Sequence, residues 1–576
     1  MMGFARGRSS APPVSMDPSQ RSVIDLPDDA SAAVLGAPGT GKTTTLIEVV
    51  ADRVLARGWG ADAVLALTTS RATATRLRDA IALRIGVPTT GPMARSVNSL
   101  AFEIVRDAAR TAGALPPRLV SGAEQDVELA SLIEGHLEEG SGPRWPEHLG
   151  PEVRRLRTFR TELRELMTRA TEYDVDVAQL RRLGGAHGHP EWVAAAQLIE
   201  EYTQVLSYRS ETRFDQAELT RYAVAAVERG ELGERASALR LVVVDDLQEA
   251  TETTLALLRS LAARGIAVIA FGDPDVAANA FRGGEPDALG RLATVLALPD
   301  LTTLTLSTSH RQGAALRAFT SSVTARIGTA AAGRQRAAIG AGADAAVPVA
   351  LVQAPSPARE WSTVARALRE AHLHRGVPWS QMVVVVRSGA QLAPVVRALA
   401  MAEVPARTTA AGTALREDFA ARSLLRLVSV GVGREPLTPA VATELLLGPF
   451  GGLDALALRR LRIALRAEEV AGGGNRPGDE LVAEALAAPG RLASIDHRVA
   501  RAAERLAETI ARLGASDGSI EELLWIAWDR SGLARSWHDQ ALGAGITAAE
   551  ANRNLDGIVA LCTSAKRFVE LRPDKG

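Results

Sequence analysis

The sequence predicts an α/β fold in which parallel sheets flanked by helices alternate with large all-helical insertions. Short runs rich in Val, Ile and Leu are typical of buried parallel strands, and helical patterns separate them. The predicted strands are Ala32–Leu35, Ala63–Leu67, Leu241–Val244, Ile266–Phe271 and Met382–Val386. Two stretches show helical patterns alone, one from Ser99 to about Glu218 and one from about Thr438 onward.

The length and composition of the chain limit the class of protein to which it can belong. A chain of 576 residues corresponds to about four compact units at roughly 150 residues each. The net charge of −1 gives no global basic signature, so any DNA-binding groove must arise from local clusters. The single cysteine, Cys562, excludes an intramolecular disulfide and a cysteine-based zinc site. With no signal-like or membrane-spanning apolar run, we expect a cytoplasmic protein that does not contact a membrane.

The motif that carries the most chemistry is a glycine-rich loop after the first predicted strand. It matches G-x-x-x-x-G-K-[ST] and opens a predicted helix, which is the context that a phosphate-binding loop requires. A chance strand–helix turn is disfavoured because only three lysines occur in the chain and one of them is in this loop. The residues expected to bind the nucleotide are Gly36, Gly39, Thr40, Gly41, Lys42, Thr43 and Thr44. Lys42 would reach the β- and γ-phosphates of ATP, and the Thr43 hydroxyl would bind Mg²⁺.

A phosphate loop also needs a carboxylate at the end of a neighbouring strand. The apolar run Leu241–Val244 is followed by Asp245 and Asp246. Asp245 would hold Mg²⁺, and Asp246 would act as the base that activates the attacking water.

Six segments, one of which contains Asp245 and Asp246, lie in order along the chain around the phosphate loop. They are Asp17–Arg21, Val64–Ala74, Ala94–Ala101, Asp245–Thr251, Phe271–Gly283 and Leu306–Arg311. In order and spacing they resemble motifs Q, Ia, Ib, II, III and IV of the UvrD/Rep/RecB-like superfamily 1A DNA helicases. An unrelated P-loop ATPase would leave motifs Ia, III and IV unexplained.

The resemblance implies roles for individual residues. It assigns Gln20 to the adenine edge, and Arg282 and Arg311 to the γ-phosphate or to coupling with DNA. Motifs Ia and Ib would contact single-stranded DNA. The implied activity is ATP hydrolysis coupled to 3′-to-5′ movement on single-stranded or tailed double-stranded DNA, in repair or recombination.

The resemblance also implies a domain organisation with RecA-like P-loop NTPase domains. The predicted parts are a disordered N-terminus (1–15), an ATP-binding domain 1A (16–103 with 218–311), a helical insertion 1B (104–217), a partial domain 2A (312–432) and an incomplete helical insertion 2B (433–576). The Ala/Gly-rich run Thr329–Ala346 is typical of a linker or long loop. Motifs V and VI are not found before Gly576, so we expect this chain alone to be an incomplete helicase.

A narrower resemblance concerns the C-terminal helical stretch. The segment Glu521–Leu533, together with Trp537, is similar to the corresponding region of actinobacterial Adn-type helicase–nuclease subunits. It implies a helicase–nuclease partner subunit. For Trp525, Trp528 and Trp537 we expect packing in a helical core rather than stacking on DNA.

Arginines recur on two predicted helices. Val153–Met167 reads as a single helix with Arg157, Arg160 and Arg164 beside its apolar face. A second cluster lies between Arg459 and Arg466. A solvated face with local ion pairs is favoured over phosphate tracking in both.

The chain departs from the family pattern at several positions. Asp246 stands where the family has Glu, Val276 where it has Gln, and Asn279 where it has Tyr. Thr69 replaces a base-stacking Phe and Asn98 replaces a His, whereas Phe281 keeps an aromatic ring in place of a Trp. Stacking contributes about 1–3 kcal/mol per base, so the loss of rings at Thr69 and Asn98 predicts a lower affinity for single-stranded DNA. They favour a second hypothesis, a catalytically weakened nucleotide- and DNA-binding scaffold subunit of a heterodimeric helicase–nuclease.

Overall fold

The computed structural model describes residues 15–89, 91–208, 213–328, 333–406, 415, 418–492, 495, 498–543 and 546–571. Residues 1–14 of the predicted disordered N-terminus therefore lie outside the described residues, as do residues 329–332 of the predicted linker. The chain divides into two compact units, residues 1–350 and 351–576.

The first unit is built on a six-stranded parallel sheet of order β3-β2-β6-β7-β1-β8. The ten strands of the described residues are β1 (Ala32–Gly36), β2 (Val64–Thr68), β3 (Ala94–Ser96), β4 (Arg118–Leu119), β5 (Arg213–Phe214), β6 (Leu241–Val244), β7 (Ala267–Gly272), β8 (Thr302–Leu306), β9 (Thr308–Ser309) and β10 (Ile339–Gly340). Four of the five predicted strands are confirmed to within one residue at each end. β1 lies between β7 and β8, with Val34 opposite Phe271 on one side and Leu304 on the other.

Helices cover both faces of this sheet. The fourteen helices of the described part of this unit are α1 (Pro18–Ile24), α2 (Lys42–Ala51), α3 (Arg71–Ile85), α4 (Val97–Thr111), α5 (Gly122–Glu139), α6 (Pro151–Arg155), α7 (Arg157–Glu172), α8 (Val177–His187), α9 (Pro190–Ser207), α10 (Gln216–Arg229), α11 (Glu234–Ser237), α12 (Glu252–Ala263), α13 (Leu292–Val295) and α14 (Ala314–Thr324). Alternate residues of β1 face opposite cores: Val34 packs with α1, α2 and α3, and Leu35 packs with α4, α10 and α12. The period of two along the strand therefore supplies both cores.

Helices α5, α6, α7 and α9 form a smaller core of their own, which includes Leu129, Phe159 and Leu198. The prediction of one helix over Val153–Met167 is wrong. Leu156 is extended (φ −66°, ψ 140°) and separates α6 from α7. Arg160 pairs with Asp126 of α5, so this arginine ties two helices together instead of facing solvent.

The second unit is helical in its regular structure. Its helices in the described residues are α15 (Pro357–Arg375), α16 (Leu392–Met401), α17 (Phe419–Gly431), α18 (Pro439–Leu447), α19 (Ala455–Ala471), α20 (Gly478–Ala487), α21 (Arg498–Gly514), α22 (Ile520–Ser531), α23 (Leu533–Ala541) and α24 (Ile546–Leu571). The predicted strand Met382–Val386 is wrong, since this segment pairs with no strand among the described residues. Trp528 and Trp537 are buried in the core of α17 to α24, as expected, whereas Trp525 is exposed.

Part of the predicted linker is ordered against the first unit. Residues Arg334–Ala337 form a 3₁₀ turn, and β10, which follows it, pairs in parallel with β9. The composition of small residues gave no indication of this packing. None of the helices in the described part of the chain is long and apolar enough to span a membrane.

Candidate active site

The loop between β1 and α2 has the geometry of a phosphate cradle. Gly39 and Gly41 have φ of 83° and 80°, in the left-handed region that favours glycine. A Cβ at Gly41 would lie 2.5 Å from Nε2 of Gln20, so the loop is also closely packed there. No side chain caps the first turn of α2, which leaves its N–H groups to bind an anion.

Lys42 is the first residue of α2 and turns back over the loop. Its Nζ donates to the carbonyl oxygen of Gly36 at 2.8 Å and to that of Ala37 at 3.4 Å. Burial lowers the pKa of Lys42, and the nearby Arg311 acts in the same direction. Three carboxylates oppose that shift, those of Asp273, Asp246 and Asp245, with Asp273 the strongest. The ammonium group therefore lies in a cleft lined by acids from the ends of β6 and β7.

Thr43 and Asp245 are brought together, as the sequence predicts. Thr43 Oγ1 donates to Asp245 Oδ2 at 2.8 Å. Asp245 Oδ1 is buried and has no hydrogen-bond partner in the described residues. Burial raises the pKa of Asp245 to about 6, and the neighbouring Asp246 contributes to the rise. A buried, unpartnered carboxylate oxygen beside a hydroxyl fits Mg²⁺, which takes few protein ligands and completes its shell with water and phosphate oxygens.

Asp246 follows in a left-handed conformation, with φ 55° and ψ 49°. Its Oδ1 accepts a hydrogen bond from Gln248 Nε2 at 3.2 Å. The Gln248 carboxamide oxygen in turn accepts from the backbone N–H of Asp273 at 3.0 Å. This glutamine therefore connects the end of β6 with the end of β7.

Gln20 holds the phosphate loop from the other side. Its Nε2 donates to the carbonyl oxygen of Thr40 at 3.2 Å, and its Oε1 accepts from the backbone N–H of Asp17 at 3.0 Å. The side chain is almost fully buried. Asp17 also contacts His310 Nε2 at 3.0 Å, so α1 joins the phosphate loop to the segment after β8.

That segment carries the predicted motif IV. Ser309 Oγ donates to the carbonyl oxygen of Pro38 at 2.9 Å, and the His310 backbone N–H donates to that of Gly39 at 2.9 Å. Arg311 follows at the edge of the loop, where a Cβ on Gly39 would lie 3.0 Å from its own Cβ. Its side chain is exposed and makes no hydrogen bond or ion pair within the described residues, so it is free to meet a phosphate group.

Arg282 lies in a different environment. It is exposed, with Cζ 5.2 Å from the centre of the Phe281 ring. It lines a cavity of about 350 Å³ together with Thr69, Asn98 and Asp246. In the part of the chain that is described, no hydrogen bond or ion pair joins Arg282 to the phosphate loop. Asp246 is the residue shared by this cavity and the acidic cleft around Lys42.

A second cavity, of about 480 Å³, lies along motifs Ia and Ib. Its walls include Arg71, Arg78, Ser96, Ser99 and Phe102. Arg71 and Arg78 are exposed on α3. Guanidinium groups, hydroxyls and one aromatic ring form a surface that suits a nucleic acid strand.

Sequence reasoning missed two residues that contact motif III. Gln335 and Arg336, from the turn inside the predicted linker, bind the carboxylates that follow β7. The only signal was a polar triplet, Arg334 to Arg336, in a run of small residues.

A phosphate loop that faces a strand ending in a buried carboxylate defines a P-loop nucleotide-binding domain. Residues 16–294 match the family model described as UvrD/REP helicase N-terminal domain. No curated protein matched the chain. The match over these residues supports a UvrD-like superfamily 1A helicase, and the structure has the expected α/β RecA-like fold with helical insertions.

Proposed function

We propose that the chain is an ATP-driven motor subunit that moves 3′-to-5′ along single-stranded DNA in repair or recombination. DNA helicase activity in general follows from the family. The observation that carries the ATP-driven reaction is the junction of the phosphate loop with Asp245, in which the Thr43 hydroxyl meets a carboxylate with one buried oxygen that has no partner among the described residues. This arrangement suits the binding of a nucleoside triphosphate together with Mg²⁺. The 3′-to-5′ direction and the role in repair or recombination rest on the resemblance alone.

In the proposed reaction, Lys42 leaves the carbonyl oxygens of the loop and binds the β- and γ-phosphates. Thr43 and Asp245 hold Mg²⁺, which when bound offsets the negative charge of the phosphate oxygens. The N–H groups of residues 39–44 cradle the phosphates. Gln20, besides holding the loop, has one amide hydrogen left over for the adenine edge.

Asp246 acts as the base that activates the attacking water. Its carboxylate is one methylene shorter than the Glu of the family pattern, so proton transfer is expected to be slower. Arg311 neutralises charge that develops on the γ-phosphate. We assign Arg282 to coupling with DNA, because it lines a cavity with motif Ia and Ib residues.

We propose that the single strand crosses the cavity formed by α3 and motif Ib. Arg71 and Arg78 would bind its phosphates, and Phe102 offers a ring for one base. Single-stranded or tailed double-stranded DNA is the proposed substrate, in the cytoplasm.

The domain division also remains a proposal: 16–103 with 218–311 as 1A, 104–217 as 1B, 312–432 as 2A and 433–576 as 2B. Support for 1B comes from the separate core of α5, α6, α7 and α9. Support for 2B comes from the single core shared by α17 to α24. A helicase–nuclease partner subunit rests on the resemblance of the tryptophan-bearing segment alone.

One observation favours the second candidate function, a weakened scaffold subunit. The cavity that borders motifs Ia and III has no aromatic ring among its described lining residues. It carries the carboxylates of Glu172, Glu249 and Asp246 against the one guanidinium of Arg282. A cavity with this lining binds bases and phosphates weakly, because it lacks stacking rings and carries more negative than positive charge.

The deciding experiment is steady-state ATP hydrolysis by this chain with and without single-stranded DNA, with Lys42→Ala as the blank. DNA-stimulated turnover that Lys42→Ala abolishes supports the motor. Nucleotide and DNA binding without turnover supports the scaffold. Unwinding of substrates with a 3′ or a 5′ tail then tests the direction of movement, and unwinding of 5′-tailed DNA alone would contradict the proposed polarity.

A further inference from the structure

Gln335 is a polar side chain with no solvent exposure, in the 3₁₀ turn Arg334–Ala337. The turn packs against β1 and β8, the two strands that lead into the phosphate loop and into motif IV. A buried carboxamide must find partners for both its nitrogen and its oxygen.

The Gln335 nitrogen faces two acids of motif III. Nε2 lies 3.1 Å from Asp275 Oδ2 and 3.4 Å from Asp273 Oδ1. Only a donor can face two carboxylates, so the orientation of the amide is determined by its surroundings. Asp273 is 1% exposed, and its carboxylate is the strongest of those that hold charge on Lys42.

The Gln335 oxygen has no partner. Oε1 is buried and accepts no hydrogen bond from the described residues. An unsatisfied buried acceptor destabilises the folded protein, a cost that an apolar side chain at this position would avoid. Docking of the turn does not require the amide, because Arg336 already binds Asp275, with Nε 2.8 Å from Oδ2.

Gln335 also belongs to a continuous chain of hydrogen bonds. Its partner Asp273 donates a backbone N–H to Gln248, and Gln248 donates to Asp246, the proposed base. The turn therefore reaches both the surroundings of Lys42 and the acid that would activate water. Val276, which stands where the family pattern has Gln, carries a hydrocarbon side chain that is 43% exposed and offers no such link.

We propose that Gln335 is a positioning residue for ATP hydrolysis, which holds the Asp273 carboxylate beside Lys42. From the segment 334–337 it supplies motif III with an amide that Val276 does not offer. This inference rests on the proposed function.

The test compares kcat, ATP affinity and DNA stimulation in wild type and Gln335→Met, with Lys42→Ala as the blank. Methionine keeps the volume and removes both hydrogen-bonding groups. We expect kcat to fall about tenfold, because the lost interaction acts mainly in the transition state, with the Kd for Mg·ATP by calorimetry within about threefold of wild type. Absence of turnover in wild type overturns the proposed function and this inference together. An unchanged kcat in Gln335→Met, in an active protein, overturns this inference alone.

Arg336→Gln is the matched control, because it removes the ion pair that docks the turn and keeps the amide. We expect a lower melting temperature with kcat near wild type. A loss of kcat equal to that of Gln335→Met would assign the effect to docking of the turn and overturn the proposal.

A double variant tests whether Gln335 acts by positioning Asp273 or only by packing. Adding Val276→Gln to Gln335→Met returns a glutamine to motif III, and we expect kcat to recover to within about threefold of wild type. Failure to recover overturns the proposed equivalence of the two positions. If Gln335→Met does not fold, Gln335→Asn shortens the amide by one methylene, and an unchanged kcat in that variant overturns the proposal as well.

Discussion

Thr43 Oγ1 and Asp245 Oδ2 lie 2.8 Å apart although 202 residues separate them in sequence. The hydrogen bond joins the first turn of α2 to the end of β6 at the place where a metal-bound phosphate would enter. The second oxygen of the same carboxylate is buried without a partner. An ionised Asp245 is therefore costly in the nucleotide-free protein and useful once a divalent cation arrives.

The first prediction concerns the cost of that carboxylate. Asp245→Asn keeps the shape and the acceptor for Thr43 but removes the buried charge. Because the folded pKa is raised from 3.8 to about 6, the penalty is absent below about pH 4 and complete above about pH 6. We expect the nucleotide-free variant to unfold with a free energy about 1–3 kcal/mol higher than wild type at pH 7.5. Thermal unfolding at pH 7.5 and pH 4.5 measures the difference.

The same variant should lose at least about 100-fold in ATP turnover, because the metal loses its charged ligand. Asp62→Asn, at an exposed position, serves as the control and should change neither property. If the stability gained by Asp245→Asn over wild type is smaller at pH 7.5 than at pH 4.5, the assigned direction of the Asp245 pKa shift is wrong.

The sequence predicted the centre of the first unit well, because its strands are continuous apolar runs. β1, β2, β6 and β7 are buried along their whole length, and such runs need no tertiary information. β8 was missed because it alternates threonine with leucine and its first two residues are exposed. Thr43 and Asp245 lie in contact because the phosphate-loop motif and the end of β6 determine their positions, while their roles in binding Mg²⁺ stay predictions.

The remaining differences have their causes in long-range contacts. Gln335 is positioned by carboxylates some sixty residues earlier, so the polar triplet Arg334 to Arg336 could not indicate its partners. Helix periodicity continued through Leu156, yet the backbone breaks there and leaves that side chain 53% exposed. Val383 and Val385 have the alternation of a strand but no described neighbour to pair with.

The second prediction separates backbone strain from crowding in the phosphate loop. Gly41→Ala and Gly58→Ala both place an L side chain at positive φ, 80° and 71°. A Cβ at Gly41 would lie 2.5 Å from Gln20, whereas nothing lies within 4 Å of one at Gly58. We expect both variants to lose about 1–2 kcal/mol of stability, but only Gly41→Ala to lose at least about tenfold in affinity for a fluorescent ATP analogue. Equal affinity in wild type and Gly41→Ala would contradict the assignment of the loop.

The third prediction concerns the DNA path along α3. Arg71 and Arg78 are exposed on the wall of the cavity that includes Ser96 and Phe102. If each binds one phosphate, the double change Arg71→Ala with Arg78→Ala lowers the salt slope of single-strand binding by about 1.4. Fluorescence anisotropy with a labelled oligonucleotide at several salt concentrations gives that slope.

A control with the same change in charge is available at two other exposed arginines. Arg181 pairs with Glu200 at 2.8 Å and Arg229 pairs with Glu231 at 2.7 Å. Neither lines the cavity, so the double change at these positions should leave the slope unaltered. A slope lowered equally by both pairs of substitutions would mean that binding follows net charge and not this surface.

The fourth prediction is a gain of function at Thr69, which is exposed on a cavity wall without a described aromatic ring. Thr69→Phe adds the stacking surface that the chain lacks there. Because stacking contributes about 1–3 kcal/mol per base, we expect the affinity for single-stranded DNA to rise about 5- to 150-fold. ATP turnover without DNA should stay at the wild-type value, since no hydrogen bond in the described residues joins Thr69 to the phosphate loop.

Thr294→Phe, at an exposed position on α13, adds the same ring elsewhere and controls for non-specific adhesion. An affinity unchanged by Thr69→Phe would show that the single strand does not cross this wall, and the low aromatic content of the cavity would then no longer favour the scaffold over the motor.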